Sequence, residues 1–118
     1  MKTLYAIDSV RYQRMNTQEL RQKFLLEDLF NPGQLDLVYW ENDRTVVGSA
    51  VPMDSALQLE AGKELAADFF CQRRELGVLN VGAAGTVSVD GKRYAVDNRD
   101  CLYIGRGSKT ITFESSTP

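Results

Sequence analysis

Residues 86–96 read TVSVDGKRYAV, two short alternating runs joined by Asp90-Gly91. A two-residue Asp-Gly loop suits a type I′ turn, because both central residues need a positive φ and these two residue types tolerate it. The cross-strand pairs expected from a tight turn are Val89–Lys92 and Val87–Tyr94. One face of the hairpin is expected to be apolar and to carry Val87, Val89, Tyr94 and Val96. The other face is expected to contact solvent and to carry Thr86, Ser88, Arg93 and Ala95.

The segments on either side of this hairpin extend the same pattern. Glu75–Val81 alternates as a strand does and enters a glycine-broken corner, Gly82–Gly85. After the hairpin, Asp97–Asp100 predicts a turn that leads into a further strand, Cys101–Ile104. Glycines therefore stand where a sheet must bend sharply. This spacing of strands and corners is typical of small jelly rolls and barrels.

Upstream, the sequence predicts one helix and then more strands. Thr17–Glu27 has apolar residues at i, i+4 spacing behind the capping candidates Asn16 and Thr17, and a helix this short must cover a sheet. The predicted strands are Gln34–Trp40, Thr45–Val51, Ala56–Glu60, Phe69–Gln72 and Thr110–Phe113. Gly48, inside the second of these, predicts a bulge or a close backbone approach. Residues 61–68 predict a loop with at most one helical turn.

We therefore expect a mainly β protein, a cupin-like jelly roll (a β-sandwich or barrel) with a short N-terminal helix. Residues 1–15 lack clean periodicity and are predicted to form an arm that lies on the body or on a neighbour. Residues 16–118 are predicted to form a single cupin-like domain.

Two stretches carry a resemblance to a known family. Residues 73–109, RRELGVLNVGAAGTVSVDGKRYAVDNRDCLYIGRGSK, resemble the N-terminal half of 5-keto-4-deoxyuronate isomerase, the cupin-type ketol-isomerase of pectin breakdown. Residues 16–30, NTQELRQKFLLEDLF, resemble the helix near the N-terminus of that enzyme. Both stretches match in order, and with the strands between them the likeness spans roughly residues 8–113. The family enzyme is longer, and its metal-binding half would lie beyond Pro118.

The resemblance implies a function for the longer protein. The family converts 5-keto-4-deoxyuronate to 3-deoxy-glycero-2,5-hexodiulosonate, and histidines and a glutamate of its C-terminal cupin hold zinc. None of these ligands has a counterpart here, so the resemblance implies a structural and assembly half that is inactive alone, contains no cofactor and pairs with the C-terminal cupin half. The alternative is a free-standing, non-catalytic cupin-like module that binds a sugar acid or a protein partner.

Composition limits the other function classes. Fourteen basic and sixteen acidic residues leave a net charge of −2, and apolar residues make up 43% of the chain. The charges are interspersed, so the basic stripe that attracts nucleic acid or an anionic membrane is missing. Residues 1–14 lack the pattern of a secretory signal, and no apolar run is long enough to span a bilayer. These features predict a cytoplasmic protein, and the arm and open sheet edges predict a homo-oligomer.

Catalytic chemistry has few candidates in this sequence. The chain contains no histidine, which excludes cysteine–histidine nucleophilic catalysis and removes the usual ligand of a catalytic metal. We therefore predict no catalytic residue and no metal ligand in this chain. Cys71 and Cys101 are expected to be reduced thiols that pack as small apolar groups, and a disulfide would require their Cα atoms to lie within about 7 Å.

The densest polar cluster is Arg73-Arg74-Glu75, our candidate for substrate or interface contacts. One arginine could clamp the carboxylate of a sugar acid, because guanidinium matches carboxylate bidentately. The other interpretation, which we favour, is an arginine–glutamate pair within the chain or between subunits. Gly82–Gly85 and Gly105–Ser108 are predicted to be corners rather than phosphate loops. Four aromatic residues could line a sugar platform but are expected in the core, namely Tyr39, Trp40, Tyr94 and Tyr103.

Overall fold

The computed structural model describes residues 1–118 and is mainly β, with 34% strand and 14% helix. The single α-helix is α1 (Thr17–Phe24). The strands, in chain order, are β1 (Lys2–Leu4), β2 (Leu35–Trp40), β3 (Thr45–Ala50), β4 (Leu57–Gln58), β5 (Leu76–Leu79), β6 (Gly85–Val89), β7 (Lys92–Val96), β8 (Cys101–Ile104) and β9 (Ile111–Ser115). They form three sheets, ordered β1-β2-β3, β4-β9-β6-β7 and β5-β8. The predicted mainly β fold class is confirmed.

The hairpin β6–β7 has the predicted turn and register. Asp90 and Gly91 have φ values of 48° and 84°, which is the pair of positive values that a type I′ turn requires. The register contains both predicted cross-strand pairs, Val87–Tyr94 and Val89–Lys92. The apolar face points into the protein, since Val87 and Val96 are buried whereas Arg93 and Ala95 on the other face are exposed.

The turn offers a direct test of this conformation. A Cβ at Gly91 would have no atom within 4 Å, so a substitution there is limited by backbone strain and not by space. Valine is β-branched and rarely adopts positive φ, whereas asparagine tolerates it. We expect Gly91→Val to lower the free energy of unfolding by about 1–3 kcal/mol, and Gly91→Asn to lower it much less. Urea unfolding of both variants is the measurement, and equal stabilities would contradict the assigned turn.

Asp90 also fixes the loop before β9. Its carboxylate accepts hydrogen bonds from the backbone N–H groups of Lys109 (3.1 Å) and Thr110 (2.9 Å). Its own N–H donates to the carbonyl oxygen of Thr110 at 2.8 Å. The tip of the hairpin therefore holds β9 in position for pairing with β6, a role that turn chemistry alone does not predict.

The helix begins as predicted and ends earlier. Asn16 caps α1, and its side chain and that of Glu19 form a reciprocal capping box. Leu25 already has extended backbone angles, so the helix stops at Phe24 and not at Glu27. As expected, α1 lies over a sheet, since Lys23 and Phe24 line a groove together with Leu4, Val38 and Trp40 of the first sheet, but none of the residues of α1 is fully buried there. With Leu25 and Leu26 outside the helix, its apolar stripe is reduced to Leu20 and Phe24.

The N-terminal arm contains regular structure that periodicity did not predict. β1 pairs in parallel with β2, with Thr3 opposite Tyr39, and a short 3-10 turn follows at Tyr12–Arg14. The first part of the arm is therefore a strand of the first sheet. None of the chain's helices is long and apolar enough to cross a membrane.

The 3-10 turn Phe70–Gln72 replaces the strand predicted for Phe69–Gln72. Phe70 and Cys71 are 4% and 0% exposed. A strand directs consecutive side chains to opposite faces, so two adjacent residues that both enter one core require a tighter turn. Burial of both side chains in the core therefore outweighs the strand propensity of these residues.

The core lies between the four-stranded sheet and the sheet β5-β8. Its seven buried residues are Leu59, Phe70, Cys71, Val87, Val96, Ile104 and Ile111. Only 11 of the 118 residues are buried, and the radius of gyration is 15.7 Å. A compact domain of this length would have a radius of about 13.5 Å. The chain is therefore elongated and buries a small core for its length.

Candidate functional site

The predicted cluster Arg73-Arg74-Glu75 connects the 3-10 turn to β5. Arg73 leaves the turn with φ −126° and ψ 8°, and the chain then becomes extended. Arg73 and Glu75 are exposed, whereas Arg74 is half-buried. The alternation predicted for these three side chains is therefore present, although β5 itself begins only at Leu76.

Neither arginine of this cluster forms an ion pair. The three ion pairs of the chain involve other groups, namely the N-terminus with Glu64, Arg21 with Glu27 and Arg93 with Glu114. The guanidinium of Arg74 instead lies 5.8 Å from the centroid of the Phe70 ring, a distance at which the face of the ring attracts a cation. The arginine–glutamate pair is thus not formed within this chain, and a pair between subunits stays a prediction.

Glu75 binds a tyrosine instead. The hydroxyl of Tyr103 donates to Oε2 of Glu75 at 2.5 Å, from a position 28 residues along the chain. This hydrogen bond, with smaller contributions from desolvation and from the negative charge of Glu75, raises the pKa of Tyr103 above its usual value. Tyr103 is 67% exposed, so it lies outside the core in which we expected it, whereas Tyr39, Trp40 and Tyr94 are half-buried.

A third arginine, Arg106, lies on a turn that is hydrogen-bonded to the backbone just before the cluster. The N–H of Gly107 donates to the carbonyl oxygen of Cys71 at 2.8 Å, which brings the turn that carries Arg106 beside the segment that carries Arg73 and Arg74. The prediction that Gly105–Ser108 is a corner is confirmed, since Ser108 N–H returns to the carbonyl oxygen of Gly105. The sequence does not indicate that the turn carrying Arg106 contacts this segment, because only tertiary structure joins the two.

The two cysteines are free and differ in environment. Cys71 is fully buried, whereas Cys101 is exposed on β8. Burial raises the pKa of the Cys71 thiol, Arg74 partly offsets this effect, and Asp90 adds to it. The predicted reduced state fits these positions. Cys71 packs as a core residue, as predicted. The expectation that Cys101 packs in the same way is wrong, because its thiol is exposed on the outer side of β8.

The side chains of this chain do not fit a zinc site. No three histidine, cysteine, aspartate or glutamate residues lie close enough together to hold a metal ion. Histidine, the usual ligand of catalytic zinc, is absent from the sequence. No step of a reaction can therefore be assigned to a metal bound by these residues.

A groove lies elsewhere, between the first sheet on one side and α1 with the segment after it on the other. It is open to solvent and has a volume of about 540 Å³. Its polar lining residues are Lys2, Gln18, Arg21, Gln22, Glu27 and Asp28. None of Arg73, Arg74 and Glu75 lines it, so the predicted cluster is a feature of the surface rather than of a cavity.

These observations define the class of protein. The chain is mainly β and is consistent with a cupin-like β-sandwich that carries a short helix, and it contains no cluster of metal-binding side chains. No family model matches the sequence. Comparison with curated proteins is more specific. A 4-deoxy-L-threo-5-hexosulose-uronate ketol-isomerase of Halalkalibacterium halodurans is 47% identical over 115 residues, which are 98% of this chain and 42% of that protein.

Two further relatives have the same name. The protein of Lacticaseibacillus paracasei is 45% identical over 118 residues, 100% of this chain and 42% of its own length. That of Caldicellulosiruptor bescii is 39% identical over 118 residues, 100% of this chain and 43% of its own length. The chain therefore spans less than half the length of these relatives. It is homologous to the N-terminal part of the 4-deoxy-L-threo-5-hexosulose-uronate ketol-isomerases, which confirms the resemblance found in its sequence.

Proposed function

We propose that this chain acts as the N-terminal part of a ketol-isomerase that converts 4-deoxy-L-threo-5-hexosulose uronate (5-keto-4-deoxyuronate) to 3-deoxy-glycero-2,5-hexodiulosonate. The observation that carries the proposal is 47% identity along 98% of the chain to a protein with that name. In this proposal the chain has a structural and assembly role, and the zinc site belongs to a C-terminal cupin half. A cytoplasmic location and a homo-oligomeric state are part of the same proposal.

The packing supports an assembly role. Only 11 of the 118 residues are buried, and twelve large apolar side chains are exposed. A domain with so small a core gains stability when further protein covers its apolar surface. The reacting groups would come from the other half, since this chain offers no cluster of metal ligands.

A chimera tests the proposal. This chain replaces the matched part of the Halalkalibacterium halodurans relative, and turnover of 4-deoxy-L-threo-5-hexosulose uronate is measured. We expect kcat/KM within about tenfold of the parent, a difference of at most ~1.4 kcal/mol in transition-state stabilisation, and no turnover by this chain alone. The control is the same chimera with Ile111→Asp, which disrupts the core and is expected to be inactive. A folded chimera without activity, or turnover by the chain alone, would contradict the proposal.

A second candidate function rests on the arginines. Arg73 and Arg74 form no ion pair, so a free-standing module could bind the carboxylate of a sugar acid here. The turn that carries a third arginine, Arg106, is hydrogen-bonded to Cys71, just before this cluster. Calorimetric titration of this chain with galacturonate, and with galactose as the uncharged control, separates the two candidates. Binding of galacturonate alone, lost in Arg74→Ala, would favour the module.

A further inference from the structure

The sheet β5-β8 has one face in the core and one face that nothing covers. Its inner residues, Leu76, Val78, Leu102 and Ile104, pack in or against the core. Its outer residues include three of the most exposed large apolar side chains of the protein, Leu79 at 61%, Val81 just beyond β5 at 60% and Tyr103 at 67%. Cys101 is exposed directly opposite Leu79. We call Leu79, Val81, Cys101 and Tyr103 the outer face.

The outer face is smooth as well as apolar. Gly77 lies opposite Tyr103, and a Cβ at Gly77 would have no atom within 4 Å. The only hydrogen bond between side chains on this face is that from Tyr103 to Glu75. Contiguous exposed apolar side chains of this kind mark surfaces that pack against other protein, and sheets pack face to face at about 10 Å.

The position of the outer face relative to the end of β9 indicates its partner. Ser115 pairs with Gly85, and the N–H of Ser116 donates to the carbonyl oxygen of Ala84 at 3.1 Å. The backbone after β9 thus runs beside the corner 82–85, which directly follows Val81. This chain matches the N-terminal part of its relatives and only 42% of their length. In those proteins, the longer remainder would therefore begin next to the outer face.

We propose that the outer face is the docking surface for the C-terminal remainder of the ketol-isomerase, which buries Leu79, Val81, Cys101 and Tyr103. This inference rests on the proposed function. The apolar character of the face matches the interior of an interface between two parts of one protein. It also assigns a role to Cys101, whose exposed thiol becomes a buried apolar group when the remainder is present.

Cys101 provides the test, because its alkylation reports whether the outer face is covered. Peptide mass spectrometry measures the rate at which iodoacetamide labels Cys101, both in this chain alone and in the chimera with the Halalkalibacterium halodurans remainder. We expect rapid labelling of Cys101 in the chain alone and labelling slowed at least ~tenfold in the chimera, because a covered thiol is not accessible to the reagent. The control is Asp43→Cys in a Cys101→Ser background, an exposed site on the β2–β3 turn that should react equally in both proteins.

Two variants of the chimera distinguish a specific loss of docking from a nonspecific effect of adding a negative charge to an exposed apolar residue. Leu79→Asp in the chimera should restore rapid labelling of Cys101, whereas Tyr5→Asp, at a residue that is 64% exposed and follows β1 in the first sheet, should not. Rapid labelling of Cys101 in an active chimera would overturn the docking surface and leave the proposed function intact. Slow labelling in an inactive chimera would support the surface and contradict the function. Protection that appears in this chain alone and rises with its concentration would identify a second copy as the occupant and overturn the inference.

Discussion

Replacement of Ile111 by aspartate is expected to abolish the cooperative unfolding transition of this chain. Ile111 is 1% exposed and lies on β9, paired with Val89 of β6, while its carbonyl oxygen accepts from Leu59 N–H at 2.9 Å. An unpaired carboxylate at this position costs several kcal/mol. That is comparable with the whole stability of a small domain, about 5–15 kcal/mol, and here the core is small.

Two control variants accompany Ile111→Asp. Ile111→Val removes one methylene group and should lower the free energy of unfolding by only about 0.5–1.5 kcal/mol. Ala56→Asp adds the same charge at an exposed position just before β4 and should change little. Circular dichroism during urea titration measures all three. A cooperative transition of near-normal midpoint in Ile111→Asp would mean that β9 does not lie at the centre of the core.

Gly48→Ala is the second substitution for which we expect a large effect. Gly48 lies on β3 opposite Leu37, and a Cβ there would be 2.5 Å from Cδ2 of Leu37 and in collision with the backbone oxygen of Asp36. Since the second neighbour is backbone and cannot rotate away, the strands must separate. We expect a loss of about 1–3 kcal/mol in the free energy of unfolding, as for other overpacked sites.

Gly77→Ala is the matched control for Gly48→Ala. Both glycines lie inside strands, but a Cβ at Gly77 meets no atom within 4 Å. Alanine there should be neutral or stabilise the chain by up to about 1 kcal/mol, because it restricts the unfolded chain. Thermal unfolding of the pair is the measurement, and similar melting temperatures for the two variants would contradict the close approach of β2 and β3.

The sequence predicted the local features of the fold. The Asp90-Gly91 turn and the register of β6–β7 follow from turn chemistry and alternation, both of which act within a few residues. The close approach at Gly48 was predicted for the same reason, and the continuous register of β2 with β3 excludes the alternative of a bulge. These features depend on neighbours in the chain, which a single sequence displays.

Features that depend on distant segments could not be predicted in this way. β1 pairs in parallel with β2 across more than thirty residues, and nothing within Lys2–Leu4 indicates its partner. The turn at Phe70–Gln72 is set by the core that receives Phe70 and Cys71. At the candidate site, the sequence identified Arg73, Arg74 and Glu75, but neither the partner Tyr103 nor the adjacent turn that carries Arg106. Arg93 and Glu114, whose bidentate ion pair lowers the pKa of Glu114, are likewise 21 residues apart.

The place of β9 in its sheet has a consequence for the order of folding. β9 follows the other three strands of its sheet along the chain, yet it lies inside the sheet, between β4 and β6. Leu57 of β4 therefore cannot form its strand pairing until Phe113, its partner in the register, has been synthesised. During synthesis from the N-terminus, the hairpin β6–β7 can form early, while β4 has no partner until residues 111–115 have left the ribosome. Non-local pairing of this kind slows folding, and the interval leaves the edge of β6 open to other nascent chains.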